Sequence, residues 1–191
     1  MVPVSPLGDT GIYVPRLGLG CQPLGLPEMH EDDVGRLLDT ALEAGVNLLD
    51  TAPAYGISEE RLGRLLAGQR QHWLLATKVG EEFDGARSRF DFSPAHTRRS
   101  VERSLHRLRT DVLDLVLVHS NGEDERIIDE CGTLETLRAL QSEGLVRAVG
   151  MSTKTVSGGL RAAGHSLDRK SGSAGMPRPS RYLVCRLLLE K

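Results

Sequence analysis

The sequence predicts an α/β fold, an incomplete (β/α)8 barrel of the TIM type. Three observations carry this. Short apolar runs alternate with amphipathic segments five times over the first 164 residues, the pattern of βαβ crossovers and a parallel sheet. No dinucleotide-type GxGxxG follows any of these runs, which turns the reading from a doubly wound sheet toward a barrel. The chain has 191 residues, short of the roughly 250 of a complete barrel. The expectation is therefore about five to six βα units.

The elements follow in order. Arg16–Gly20 reads as a short strand after a turn-rich start. A helix spans Glu31–Ala44, with Val34, Leu37, Leu38, Ala41 and Leu42 at helical spacing. Glu31, Asp32 and Asp33 suit its N-terminus and Gly45 its end. Val46–Asp50 is the second strand, and Ser58 reads as the cap of a helix carrying Leu62, Leu65 and Leu66, stopped by Gly68. Trp73–Lys78 is the third strand, and the polar stretch Gly80–Asp91 reads as a long loop. Ser93 as N-cap and Pro94 at the first helical position start a helix to Arg109 that buries Val101, Leu105 and Leu108. Val112–His119 is the fourth strand, Leu134–Ser142 a helix ended by Gly144, and Val146–Met151 the fifth strand. Val156–Ala163 forms a helix weakened by Gly158 and Gly159.

The domain reading is a partial barrel over residues 1–164 and a tail over 165–191. The tail is rich in Gly, Ser, Pro and Arg, shows neither period over His165–Arg181, and is expected to be poorly ordered. Tyr182–Leu189 is apolar and does not continue the preceding alternation.

Composition narrows the function. With 24 basic and 26 acidic residues and a net charge of −2, nothing favours nucleic acid or an anionic membrane as partner. Cys21, Cys131 and Cys185 are odd in number and far apart, so a disulfide framework is not expected and a reducing cytoplasm is. No apolar run approaches the roughly 20 residues of a membrane span, and the N-terminus lacks the pattern of a signal peptide. No metal-ligand spacing occurs, and no metal is expected.

Three reactive side chains fall at corresponding places: Asp50, Lys78 and His119 end the second, third and fourth strands. In a parallel barrel these ends converge on the face that carries the active site. Tyr55 lies on the loop just after Asp50. Singly, each has an ordinary structural reading: a turn aspartate, a solvated lysine, a packed histidine, a loop-anchoring tyrosine. Together on one rim they read as a site. His30, His72, His96, His106 and His165 read as surface residues. The basic residues Arg98, Arg99, Arg103, Arg107 and Arg109 read as a solvated helix face rather than an anion site.

The motifs around these residues resemble the aldo-keto reductases over about residues 4–164. Pro6–Gly11 through Val14–Gly20 is similar to that family's N-terminal hairpin and first strand. The run from Gly45 to Gly56 (GVNLLDTAPAYG), with Ser58 and Glu59, is the most specific match. Leu75–Lys78, Arg99–Leu105, Leu113–His119 and Gly144–Ser152 follow in the family's order.

The resemblance implies a catalytic tetrad of Asp50, Tyr55, Lys78 and His119. A tyrosine is a weak acid, with an ordinary pKa near 10, and an adjacent ammonium favours its phenolate. Asp50 would hold Lys78, His119 would bind the substrate carbonyl oxygen, and Tyr55 would protonate that oxygen while NADPH delivers hydride. The resemblance also implies cofactor contacts from Gly20, Cys21, Gln22, Asp50, Ser152 and Thr153, with Thr153 standing where the family usually has Asn. Cys21 reads first as a small packed residue. Family members continue through three more strands that complete the cofactor clamp, and nothing after Gly164 matches them. The tail thus reads as that of a truncated or frame-shifted sequence. The expected partner is a small carbonyl compound. The competing readings are an inactive remnant or binding module of the same fold, and a lyase or isomerase using Lys78 as a Schiff-base amine.

Overall fold

The structure, a computed structural model, describes residues 2–164. The expected tail over residues 165–191 lies outside them.

Strand β1 (Val4–Pro6) and strand β2 (Tyr13–Pro15) form an antiparallel hairpin. Then β3 (Leu19–Gly20), helix α1 (Glu31–Glu43), β4 (Leu48–Asp50), α2 (Ser58–Leu65) and β5 (Leu74–Val79) alternate. A second hairpin, β6 (Glu81–Phe83) and β7 (Ser88–Phe90), precedes α3 (Pro94–Leu108) and β8 (Leu113–His119). Helices α4 (Asp124–Glu130) and α5 (Thr133–Ser142), strand β9 (Val146–Ser152) and α6 (Val156–Gly164) follow. The central sheet is parallel in the order β3-β4-β5-β8-β9. This is an incomplete α/β barrel, as the alternation predicts.

Alternation along the strands separates two apolar clusters. Leu49, Leu75, Val79, Val116 and Val118 pack beneath the helices with Val34, Leu62, Val101 and Leu137. On the opposite face Ala76, Leu115, Leu117 and Ala148 pack against Ile12 of the first hairpin, with Leu48 and Leu74 beside them. The hairpin thus covers the inner face at the N-terminal ends of the strands. The same two-residue period carries the inner face on to Asp50, Lys78 and His119 at the C-terminal ends.

The helix signals hold with local corrections. Ser93 accepts a hydrogen bond from the His96 N–H at 3.3 Å and caps α3. Ser58 does not cap α2; it is the first helical residue, fully buried, with Ile57 at the cap position. Leu37 faces solvent, while Val34 and Leu38 are fully buried and Ala41 and Leu42 pack partly buried against the same core. The Gly80–Asp91 stretch is not only loop. Its ends pair as Glu81 with Phe90 and Phe83 with Ser88. Helix α4 carries no periodic signal: Ile127 and Ile128 are adjacent, and seven residues are too few for a helical period to show.

Charge pairs tie the helices to their neighbours. Arg107 reaches Glu60 at 2.9 Å and Glu59 at 3.4 Å across the α2–α3 contact, and Arg98 meets Glu143 at 3.0 Å. Arg103 pairs with Glu82 of β6. The basic residues of α3 are therefore largely paired rather than simply solvated. His96 also departs from its expected surface place: its side chain is 13% exposed and faces Glu82 and Asp91.

Asp114, buried on the helix-facing side of β8, accepts from Arg70 at 2.7 Å, Arg147 at 2.6 Å and the Leu75 N–H at 2.9 Å. One carboxylate thereby fixes the alignment of β5, β8 and β9.

Helix α2 crosses α3 at Gly63, where an added Cβ would stand 2.0 Å from the Arg107 carbonyl oxygen. Gly63→Ala is expected to lower stability by roughly 1–3 kcal/mol through overpacking. Urea unfolding measures it, with a fall in the midpoint at unchanged slope.

Candidate active site

The rim is assembled by strand register. Gly20 lies opposite Asp50, Asp50 opposite Ala76, Lys78 opposite Leu117 and His119 opposite Ser152. Residues distant in sequence therefore end their strands side by side.

Lys78 is the centre. Its side chain is 1% exposed, and Nζ donates to Asp50 Oδ1 at 2.6 Å and to the Thr51 carbonyl at 3.0 Å. The same nitrogen lies 4.7 Å from the centroid of the Tyr55 ring, within cation–π range. Burial opposes the charge on Lys78, but Asp50 and Tyr55 outweigh it and raise its pKa above the ordinary lysine value. Burial raises the Asp50 carboxyl, against the attraction of Lys78. The lysine is an ammonium ion at neutral pH.

Tyr55 is placed by backbone contact. Its N–H donates to Ala52 O at 3.0 Å, and its carbonyl accepts from the Ser58 N–H at 3.1 Å. Gly25 approaches so closely that a Cβ there would lie 1.6 Å from Tyr55 O. Gly56 has φ +56 and meets Gly25 from the other side. Both positions require glycine.

Ser58 and Glu59 fix this loop from behind. Ser58 Oγ donates to Cys21 O at 2.9 Å and accepts from Thr51 Oγ1 at 2.9 Å. Glu59, 1% exposed, accepts from Thr77 Oγ1 at 2.6 Å, one residue before Lys78. Arg61 reaches the Leu24 carbonyl. These supports of the tetrad went unread in the sequence beyond Ser58 and Glu59 as part of a motif. Their signal is the close spacing of Ser58, Glu59 and Arg61 within the first four residues of α2 (SEERLGRL).

His119 stands across from Tyr55, ring centroids 6.2 Å apart and planes at 87°. Its Nδ1 lies 2.7 Å from Glu81 Oε2 of β6. Nδ1 is buried and makes no hydrogen bond among the described residues. Burial lowers the His119 pKa to about 4, with Glu81 acting against it and Lys78 and Lys154 with it. The imidazole is neutral at neutral pH. Glu81 falls in the stretch read as loop, and only the pairing of β6 brings it to the site.

The residues proposed for a cofactor divide. Gly20, Asp50, Ser152 and Thr153 share the rim, and neither hydroxyl makes a hydrogen bond among the described residues. They suit a ligand carboxamide, which needs both a donor and an acceptor. Gln22 is exposed on the loop after β3. Cys21 is fully buried: its N–H goes to Asp50 O at 2.8 Å, its carbonyl to Ser58 and Leu24, and its thiol to Leu19 O. Every polar group of Cys21 is spent inside the protein, and burial pushes its thiol pKa up. It is the packed residue of the first reading. Among the described residues no group of three His, Cys, Asp or Glu could hold a metal ion, and no helix is long and apolar enough to cross a membrane.

Comparison with known proteins fits this geometry. The aldo/keto reductase family model matches residues 16–170. The chain belongs to this family. It is 36% identical over 155 residues to the L-galactose dehydrogenase of Arabidopsis thaliana, covering 76% of this chain and 47% of that protein. It is 34% identical over 163 residues to the NADH-specific methylglyoxal reductase of Escherichia coli K12, covering 76% and 50%. The crystal structure of PA4992 from Pseudomonas aeruginosa superposes with a TM-score of 0.82 at 56% identity, covering 84% of this chain and 64% of that one. The chain spans about half the length of the curated relatives it matches.

Two outcomes follow. Gly25→Ala displaces Tyr55 and is expected to cost roughly 1–3 kcal/mol of stability, read by thermal unfolding together with near-ultraviolet dichroism. The second concerns pH. A histidine at about 4 when folded, against an ordinary 6.5, leaves the unfolded chain holding more protons between these values. His119 thus contributes stability that is full above pH 6.5 and lost as pH falls toward about 4. His119→Asn is expected to flatten the fall in unfolding midpoint across that interval.

Proposed function

We propose that the chain works as an aldehyde or ketone reductase using NADPH, with Tyr55 as general acid. The observation that carries this reading is the lysine bridge: Nζ of Lys78 is 2.6 Å from Asp50 and 4.7 Å from the Tyr55 ring centroid.

Asp50 keeps Lys78 protonated and fixed. The ammonium then stabilises negative charge as the Tyr55 hydroxyl gives up its proton to the substrate oxygen. This stabilisation is strong because Lys78 is buried and already oriented, so little reorganisation accompanies proton transfer. His119, neutral and edge-on to Tyr55, closes the opposite side and orients the substrate. Gly20, Gln22, Asp50, Ser152 and Thr153 are the residues that would hold the nicotinamide end of the cofactor. When bound, that group supplies the hydride.

The Schiff-base reading needs a neutral amine. Lys78 has the opposite environment, ion-paired and raised in pKa. The inactive-remnant reading rests on the share of the relatives' length that the chain covers, and one experiment separates it from the reductase.

Calorimetry of the 191-residue chain with NADPH and with NADH tests the cofactor, and oxidation of the reduced nicotinamide in the presence of simple aldehydes tests turnover. Tyr55→Phe is expected to lower kcat by at least about 100-fold, since general acid catalysis contributes roughly 10²–10⁴-fold, with cofactor affinity kept. Lys78→Met is expected to lower kcat in the same way. Folded protein that binds neither nucleotide would sink the reductase reading in favour of the remnant.

A further inference from the structure

One charge at the rim is left over by the proposed chemistry. Lys154 follows Ser152 and Thr153 on the loop after β9, and it is exposed. Its backbone is held from within. The Asp124 carboxylate, buried at the start of α4, accepts from the Lys154 N–H at 3.0 Å and from the Thr155 N–H at 2.7 Å. Gly158 packs on the same aspartate, so closely that an added Cβ would stand 2.2 Å from the Asp124 Cβ. The Lys154 side chain therefore starts from a fixed point, two residues past Ser152, the register partner of His119.

From there it reaches the β6–β7 hairpin. Its ammonium stands 5.7 Å from the centroid of the Phe90 ring. Phe90 is the register partner of Glu81, and directly opposed residues of an antiparallel pair share a face. On that face Glu81 meets His119, with Oε2 2.7 Å from Nδ1. Lys154 Nζ thus lies on the hairpin side of the rim, and its charge is felt at the His119 imidazole. The carboxylates of the rim are engaged elsewhere. Asp50 holds Lys78, and Glu81 accepts the Ser88 hydroxyl at 2.6 Å on the oxygen turned from His119. Lys154 forms no ion pair among the described residues. A cation–π contact open to water holds a full charge only weakly, so the ammonium readily exchanges the Phe90 ring for an anion.

We infer that Lys154 is a specificity-determining residue, and that the site prefers carbonyl compounds bearing an anionic group, a carboxylate or a phosphate. The inference deepens the reductase reading and rests on it. With the carbonyl oxygen held by Tyr55 and His119, Phe90 and Lys154 flank the remainder of the substrate on the hairpin side. Glu81 shares that side, but its oxygens are turned to Ser88 and His119, and Lys154 is the group with a charge to offer. An ammonium on a flexible stem acts as a point charge and lacks the planar fork that singles out a carboxylate, so either anion suits it. An uncharged aldehyde leaves this charge unused.

The preference is read from kcat/KM of the 191-residue chain at low salt, for succinic semialdehyde against butanal and for glyceraldehyde 3-phosphate against glyceraldehyde. The anionic member is expected to be favoured by about fivefold, the upper end for an ion pair open to solvent, and the ratio is expected to fall as salt is added. A preference in one pair alone assigns the anion. Lys154→Met is expected to bring the ratio toward one, Lys154→Arg to keep it, and Lys154→Glu to push it below one. Ratios near one in both pairs, or a ratio that Lys154→Met leaves unchanged, overturn the proposal. A second measurement does not depend on turnover. Succinate and inorganic phosphate are titrated at constant ionic strength against the carbon–proton signals of the lysine Cε groups, with Lys154→Met to assign the signal. A saturable shift at Lys154 is expected with at least one of them, and its absence with both overturns anion binding there. A chain inert toward all four aldehydes overturns the reductase reading, while the titration still decides whether Lys154 binds an anion.

Discussion

The rim is organised around a buried ammonium ion. Removing the Lys78 charge from water costs several kcal/mol, and the cost is offset only where an anion and further acceptors wait at fixed positions. Asp50 and the Thr51 carbonyl are those acceptors. Both belong to the end of β4, so the ion pair requires that β4 and β5 align with Asp50 opposite Ala76. A slip of one residue would turn Lys78 to the helix side and leave Asp50 unpaired. The register of the sheet and the chemistry of the site are thus one constraint.

That constraint propagates outward. Thr51 also bonds Ser58, which bonds the Cys21 carbonyl, so the loop after β3 and the start of α2 are tied to the same strand end. The two glycines at positions 25 and 56 then let these backbones touch, and Tyr55 is suspended between them over the lysine. The far side of the rim is set independently. Asp124, buried at the start of α4, accepts from the Lys154 and Thr155 N–H groups at 3.0 and 2.7 Å. It holds the loop that follows Ser152 and Thr153, close to His119.

Much of this was legible in the chain itself. Five strand–helix alternations are written in apolar spacing, and Ser93 and Pro94 mark a helix start by local chemistry alone. Asp50, Lys78 and His119 stand at strand ends, where a parallel fold must bring them to one face. What stayed hidden depends on contacts between distant segments. Ser58 looks like a cap, yet its hydroxyl is drawn inward by Thr51 and Cys21, which outbid the helix terminus. Glu81 lies in a polar run whose hairpin exists only because Phe90 and Ser88 return beside it. His96 carries no apolar surroundings in sequence, and is enclosed by Glu82 and Asp91 from the neighbouring hairpin and loop.

The sequence by itself therefore determined the fold class, the order of the elements and which reactive residues share a face. These follow from periodicity and strand polarity, which are local properties. The tertiary structure decided which neighbours set their charge and aim: the burial that lowers the pKa of His119, the carboxylate beside its Nδ1, and the full enclosure of Cys21. Those depend on distances between segments up to dozens of residues apart. Desolvation and Coulomb forces act over ångströms in space, and sequence spacing does not encode them.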